Sequence, residues 1–121
     1  RVLAVACQDY IEPYGPLNQC IPAAEHVFRC MHDITAQGAV THRRLLCNPN
    51  SAALRLALKE FVEDVAEGDG LLFYFAGHSY EYDGRNYFVT CDGDSDVCAT
   101  EIRCMLRCKC LLAVFVDACR V

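Results

Sequence analysis

The sequence predicts an α/β domain built on a mostly parallel sheet with helices on both faces. Three observations carry that reading. The segments "VLAVAC" (2–7), "GLLFYFAG" (70–77) and "LLAVFVDA" (111–118) are apolar almost throughout at strand length, as strands buried on both faces are. Two stretches between the first two of them repeat apolar residues at helical spacing. Strands and helices alternate along the chain, which calls for crossover connections and parallel pairing.

The elements follow in order. After the first strand, "EPYGPLNQCIP" holds three prolines and a glycine and reads as a loop. From Ala23, the positions Ala24, Val27, Met31 and Ile34 define a helix face, with Gly38 as its stop. "AVTHRRLL" (39–46) reads as a strand. Asn50 or Ser51 caps a second helix with Leu54, Leu58, Phe61, Val62 and Val65 on one face, ending at Gly68. After the strand at 70–77, "YEYDGRNYFV" (80–89) sets Asp83-Gly84 between β-prone flanks, a hairpin with a two-residue turn. Thr100 is the expected cap of a short helix carrying Ile102, Met105 and Leu106, and the strand at 111–118 closes the order.

Composition narrows the function. With 121 residues, 54% of them apolar, the chain has the makings of one cored domain, residues 1–121. The net charge is −5 and the basic residues are scattered, which argues against nucleic acid as a partner. No apolar run approaches the roughly 20 residues of a membrane span. The opening "RVLAVACQDY" lacks a signal-peptide layout and reads as a strand already under way, so the expectation is a piece of a longer chain. Ten cysteines would fit a secreted disulfide scaffold, but Cys7, Cys30, Cys104 and Cys119 sit inside helix and strand patterns. Reduced, buried thiols in a cytoplasmic protein fit better.

Two apolar strands end on reactive side chains. "LLFYFAG" runs into His78 and "LLAVFVDA" into Cys119. Ligands of open parallel sheets bind beyond the carboxyl ends of the strands, and neighbouring strands lie about 4.8 Å apart. Adjacent strands would therefore bring thiol and imidazole to one edge. The chemistry needs that pair, because the thiolate is the nucleophile and a free thiol is mostly protonated near neutral pH. The imidazole takes the proton and returns one to the leaving amine. The backbone N–H groups of Ser79 and Cys119 are the natural oxyanion donors.

The words "FYFAGHS", with "DGRNYF" behind it, and "VFVDACR" resemble the caspase-like cysteine peptidases, nearest to the metacaspase, paracaspase and bacterial caspase-like branches. "VLAVACQDY", "LNQCIPAAEHV" and "CDGDSD" extend the resemblance over essentially the whole chain. The resemblance implies a three-layer caspase-like sandwich of the large-subunit type. It implies a cysteine endopeptidase with Cys119 as nucleophile, His78 as general acid/base, and the Ser79 and Cys119 amides as the oxyanion hole. The separation of 41 residues is a little short of the usual ~50.

Asp117 lies two residues before Cys119, and residues i and i+2 of a strand share a face. A carboxylate there favours a cationic P1 side chain. In the metacaspase and paracaspase branches the matching aspartate selects P1, so the expectation is cleavage after Arg or Lys. The partners implied are protein or peptide substrates, a small-subunit segment of the same protein that completes the sheet, and a second copy in a homodimer.

The chain departs from the family at several places. Ser79 replaces the glycine after the base, Ala23 stands where a second P1 aspartate is common, and the helix before the last strand is short. These departures sustain an alternative: a catalytically impaired pseudo-peptidase serving as an interaction or dimerisation module. No cofactor is expected. Asp92, Asp94 and Asp96 echo a calcium loop, and some metacaspases use calcium through this region, but the loop glycine and distal glutamate are misplaced. A solvated acidic turn is the better reading. The late cysteines Cys91, Cys98, Cys104, Cys108 and Cys110 match no zinc spacing.

Overall fold

The structure, a computed structural model, describes residues 1–35, 42–94 and 97–120, with the backbone alone at 32–35 and 119–120. The described elements are β1 (Val2–Ala6), α1 (Cys20–Thr35), β2 (Arg43–Cys47), α2 (Ser51–Val62), β3 (Gly70–Tyr82), β4 (Arg85–Phe88), β5 (Val97–Cys98), α3 (Ala99–Met105) and β6 (Leu111–Arg120). The two-residue strand β5 has no sequence signature and was not expected. The predicted stop at Gly38 and the Asp96 position lie outside the described residues.

The sheet is mixed. β1 pairs in parallel with β2 on one side and β3 on the other. β3 pairs in parallel with β6 along its opposite edge. Beyond β1 the long β3 takes a new neighbour, the antiparallel β4, which in turn pairs β5. The β3–β4 turn is the predicted two-residue hairpin. Asp83 and Gly84 both have positive φ, 51° and 74°, which is the pairing a tight turn between twisted strands requires.

The two faces of the sheet are packed differently. On one, Leu3, Val5, Phe73, Phe75 and Phe88 pack with Leu54, Leu58 and Phe61 of α2 and Ile102 of α3. On the other, Ala4 and Ala6 meet Ala24 of α1, with Ile21, Leu45 and Tyr74 around them. Alanines on β1 leave room for the helix to lie close, so large side chains face α2 and α3 and small ones face α1. This is the expected three-layer α/β sandwich.

Several boundaries differ from the sequence reading. α1 begins at Cys20 rather than Ala23, because Pro22 falls in the first turn, where its missing N–H costs nothing. The Gln8 side chain accepts from Ile21 N at 3.0 Å and serves that helix end from a distant loop. α2 stops at Val62, well before Gly68, where Glu63 turns to extended backbone. Thr100 lies inside α3, whose N-cap is Cys98. Every described cysteine is a free thiol; Cys7 is buried as expected, whereas Cys30 and Cys104 are exposed.

Asn50 is the N-cap of α2, and its side chain accepts from Ala53 N at 2.8 Å. Asn50→Ala is expected to cost about 1 kcal/mol. That appears as a thermal midpoint lower by about 4 °C. An unchanged midpoint would show that the cap contributes nothing to stability.

Candidate active site

β3 does not end at Gly77, as its apolar run predicted. It continues through His78 and Ser79 to Tyr82, because β4 replaces β1 as its hydrogen-bonding neighbour. His78 therefore sits inside a strand, 6% exposed, where the sheet changes partners. Its backbone is tied on the β1/β4 side. His78 N donates to the Tyr10 hydroxyl at 2.8 Å, and His78 O accepts from Val89 N at 2.9 Å.

Backbone groups alternate sides along a strand. With His78 N–H and C=O turned to the β1/β4 side, the Ser79 N–H turns to the β6 side. β6 also runs further than its apolar pattern, to Arg120, and Cys119 stands opposite His78 in the register. The same register sets Asp117 opposite Ala76 and Arg120 opposite Ser79. The thiol of Cys119 lies outside the described residues.

The Ser79 side chain is buried, with 2% exposure, and shares a face with its antiparallel partner Phe88 in the large-residue core. Side chains alternate, so His78 is on the α1 face and Ser79 on the other. The serine that replaces the family's glycine therefore points away from the cleft rather than crowding it.

The imidazole is held by residues that sequence reasoning did not single out. Its Nε2 lies 3.4 Å from Gly15 O, in the proline-rich loop before α1. A carbonyl only accepts, so this contact calls for a proton on Nε2. Nδ1 is buried and has no hydrogen-bond partner among the described residues. A buried ring nitrogen without a partner is costly, and functional sites are among the places where such groups occur.

Aromatic rings complete the cradle. Tyr10 lies against His78 with centroids 4.6 Å apart, and Tyr14 at 5.9 Å. The Tyr10 hydroxyl also donates to Val89 O at 2.9 Å, so one oxygen joins β3, the loop and the end of β4. Burial pushes that hydroxyl well above its ordinary pKa, which keeps it a donor. Behind it, hydrogen bonding to Cys91 and burial both push the Cys7 thiol up, so Cys7 stays protonated and inert.

Asp117 borders a recess of about 270 Å³ between the start of α1 and the ends of β3 and β6. Cys20, Ala23, Ala76 and Gly77 line it, with Asn18 and Gln19 at its rim. The Tyr74 hydroxyl donates to Asp117 Oδ2 at 3.1 Å. Burial, then the bond to Asp117 and its negative charge, push the Tyr74 hydroxyl up to about 12.

The acidic turn at 92–94 serves the backbone. Asp92 accepts from Ser51 N at 3.2 Å, from Asp94 N at 3.3 Å and from the Thr90 hydroxyl. Partial burial works against the charge, but these bonds hold the Asp92 carboxyl below its usual range. Among the described residues no cluster of His, Cys, Asp or Glu is arranged to hold a metal ion. Nor is any described helix long and apolar enough to cross a membrane.

Comparison with known proteins agrees with this fold. The crystal structure of a Geobacter sulfurreducens protein is similar, with a TM-score of 0.76 at 18% sequence identity over 98% of this chain and 49% of that one. At that identity the likeness speaks to the fold, and this chain spans about half the length of that protein. No curated protein matches the chain. The family model of the caspase domain matches residues 1–121, the whole of the sequence. With its α/β sandwich and a histidine facing a cysteine across two parallel strands, the chain belongs to the caspase-domain family of cysteine peptidases.

Proposed function

We propose that this domain is the large-subunit part of a caspase-like endopeptidase in which Cys119 and His78 act as a dyad and Asp117 receives a basic P1 side chain, Arg or Lys. The observation that carries the reading is the β3–β6 register, which sets Cys119 opposite His78 and Asp117 one side-chain step below. Adjacent strands at about 4.8 Å leave a thiol and an imidazole within reach of one scissile carbonyl.

His78 Nδ1, the lone pair left without a partner, takes the Cys119 proton. The thiolate attacks the carbonyl carbon, and the negative charge moves to the carbonyl oxygen. We assign the oxyanion to the N–H groups of Ser79 and Cys119, which requires the β3–β6 ladder to open at its last pairs, His78–Cys119 and Ser79–Arg120. As the C–N bond breaks, His78 returns its proton to the departing amine and leaves a thioester on Cys119. A water molecule, deprotonated by the same imidazole, then hydrolyses the thioester. The Gly15 carbonyl facing Nε2 steadies the imidazolium in both halves.

The outer edge of β6 supports a further partner. Leu111 is 78% and Phe115 55% exposed on this strand, and β3 is its one neighbour among the described residues. We read this open apolar edge as the seat of a small-subunit segment of the same protein. The alternative, a pseudo-peptidase used for dimerisation, draws on the same edge, but the placement of the Ser79 side chain away from the cleft removes one of its supports.

The test is cleavage of fluorogenic peptides ending in Arg, Lys or Asp by the full-length protein. Release after Arg and Lys and none after Asp is expected. Asp117→Ala is expected to lower kcat/KM on the basic substrates by about 100-fold, the loss of one charge-assisted contact of about 3 kcal/mol. Cleavage after Asp alone would overturn the assignment of Asp117, and no release from any peptide would favour the interaction module.

A further inference from the structure

The recess beside Asp117 offers little charge. Asp117 is the one acidic or basic side chain lining it among the described residues, and α1 contributes only Cys20 and Ala23 to the lining. Even this carboxylate is partly spoken for. Tyr74, on β3, donates its hydroxyl to Oδ2 at 3.1 Å, while Oδ1 has no hydrogen-bond partner among the described residues. The tyrosine ring is itself fixed, packed with Ala4, Ala6 and Ala24 between the sheet and α1. With its hydroxyl pushed up to about 12, it remains a donor throughout the working range.

We infer that Tyr74 is a positioning residue that makes Asp117 present one carboxylate oxygen, not two, to a basic P1 side chain, so that the site reads lysine and arginine nearly alike. The inference rests on the basic-P1 reading. Arginine outdoes lysine where a carboxylate can take both prongs of the guanidinium in two parallel bonds. A carboxylate oxygen has two acceptor sites, and the phenol already takes one of those on Oδ2, so the second prong of the fork must compete there while Oδ1 stays open. Either cation is then met chiefly at Oδ1, where the compact ammonium is no worse matched than the fork. In other words, Tyr74 buys breadth at P1 by giving up arginine's bidentate advantage.

The experiment compares kcat/KM for two peptides identical except for Arg or Lys at P1, using the full-length protein and its Tyr74→Phe variant. Phenylalanine keeps the ring and removes only the hydroxyl. The wild-type ratio is expected to lie within about threefold of unity. Tyr74→Phe is expected to raise the Arg:Lys ratio about five- to tenfold, as Oδ2 becomes free for the second prong. A merely structural role would lower both constants together and leave the ratio still. In an Asp117→Asn background, Tyr74→Phe is expected not to move the ratio.

An unchanged or falling ratio in Tyr74→Phe overturns the inference while leaving the peptidase reading intact. So does a shift that persists in the Asp117→Asn background, since Tyr74 would then act without Asp117. A wild-type protein that cleaves after neither Arg nor Lys removes both readings at once, and that result is visible before any variant is made.

Discussion

Cys119→Ala is expected to lower kcat/KM for a basic-P1 peptide by about 10⁵-fold, to the level at which only binding and the oxyanion donors still act. The size follows from the role proposed for Cys119. Without the sulfur no thioester forms, and hydrolysis must proceed by direct attack of water. His78→Ala is expected to fall almost as far, because a thiol that is mostly protonated loses the group that ionises it and the acid that expels the amine. The two losses are not expected to add. The double variant should be no slower than Cys119→Ala, since an imidazole with no thiol to serve contributes little. Steady-state kinetics on the full-length protein checks all three. Multiplicative losses would mean that His78 and Cys119 act separately, and a Cys119→Ala protein with more than about a tenth of wild-type activity would remove Cys119 from the chemistry.

The two strands that underlie this prediction were legible in advance for a simple reason, and their pairing was then a conditional step. Strands buried on both faces must be apolar at every position, so "LLFYFAG" and "LLAVFVDA" declare themselves, and parallel neighbours place their ends together. What the pattern did not show is that both strands run on past their apolar stretches. β3 keeps its ladder through His78 and Ser79 by exchanging β1 for β4, a long-range substitution that no local signal records. The residues that hold His78 were hidden for a related reason. Tyr10 and Gly15 lie in a proline-rich loop, 68 and 63 residues away in sequence, and loops carry no periodicity from which contacts can be read.

Asp117 was found by its i, i+2 relation to Cys119, but its partner Tyr74 looked like one more aromatic in a buried strand. Only the packing shows that Tyr74 shares the small-residue face with α1, where its hydroxyl can reach β6. Where the Ser79 side chain points was likewise not readable from sequence alone. A glycine-to-serine change beside a base reads as an obstruction until strand alternation puts the side chain on the far face. The structural lesson is the same in both cases. Position on the pleat decides which side chains share the cleft, and pleat phase is settled only by knowing where pairing begins and ends.

Gly77→Ala is expected to be the most damaging glycine-to-alanine change among the described residues. A Cβ at residue 77 would overlap the Tyr10 hydroxyl, and would stand 3.0 Å from Phe75 Cζ and 3.2 Å from Cys7 Cβ. A side-chain tip usually yields, but this one is bonded to both His78 N and Val89 O and its residue is 8% exposed. If Tyr10 stays, the core is overpacked at a cost of about 1–3 kcal/mol. If it moves, a buried N–H and a buried C=O lose their partner, at about 1–3 kcal/mol each. We expect a loss of about 3 kcal/mol, read as a shifted denaturation midpoint, together with a fall in kcat beyond what the loss of folded protein accounts for, because the hydrogen bond that seats His78 is the one disturbed. Tyr10→Phe should itself destabilise, yet it removes the oxygen that the new methyl strikes. The double variant is therefore expected to be more stable than the sum of the two single losses allows, by about 1 kcal/mol or more. Strict additivity would mean that the methyl is absorbed elsewhere, and that the contact between Gly77 and Tyr10 does not govern how His78 is held.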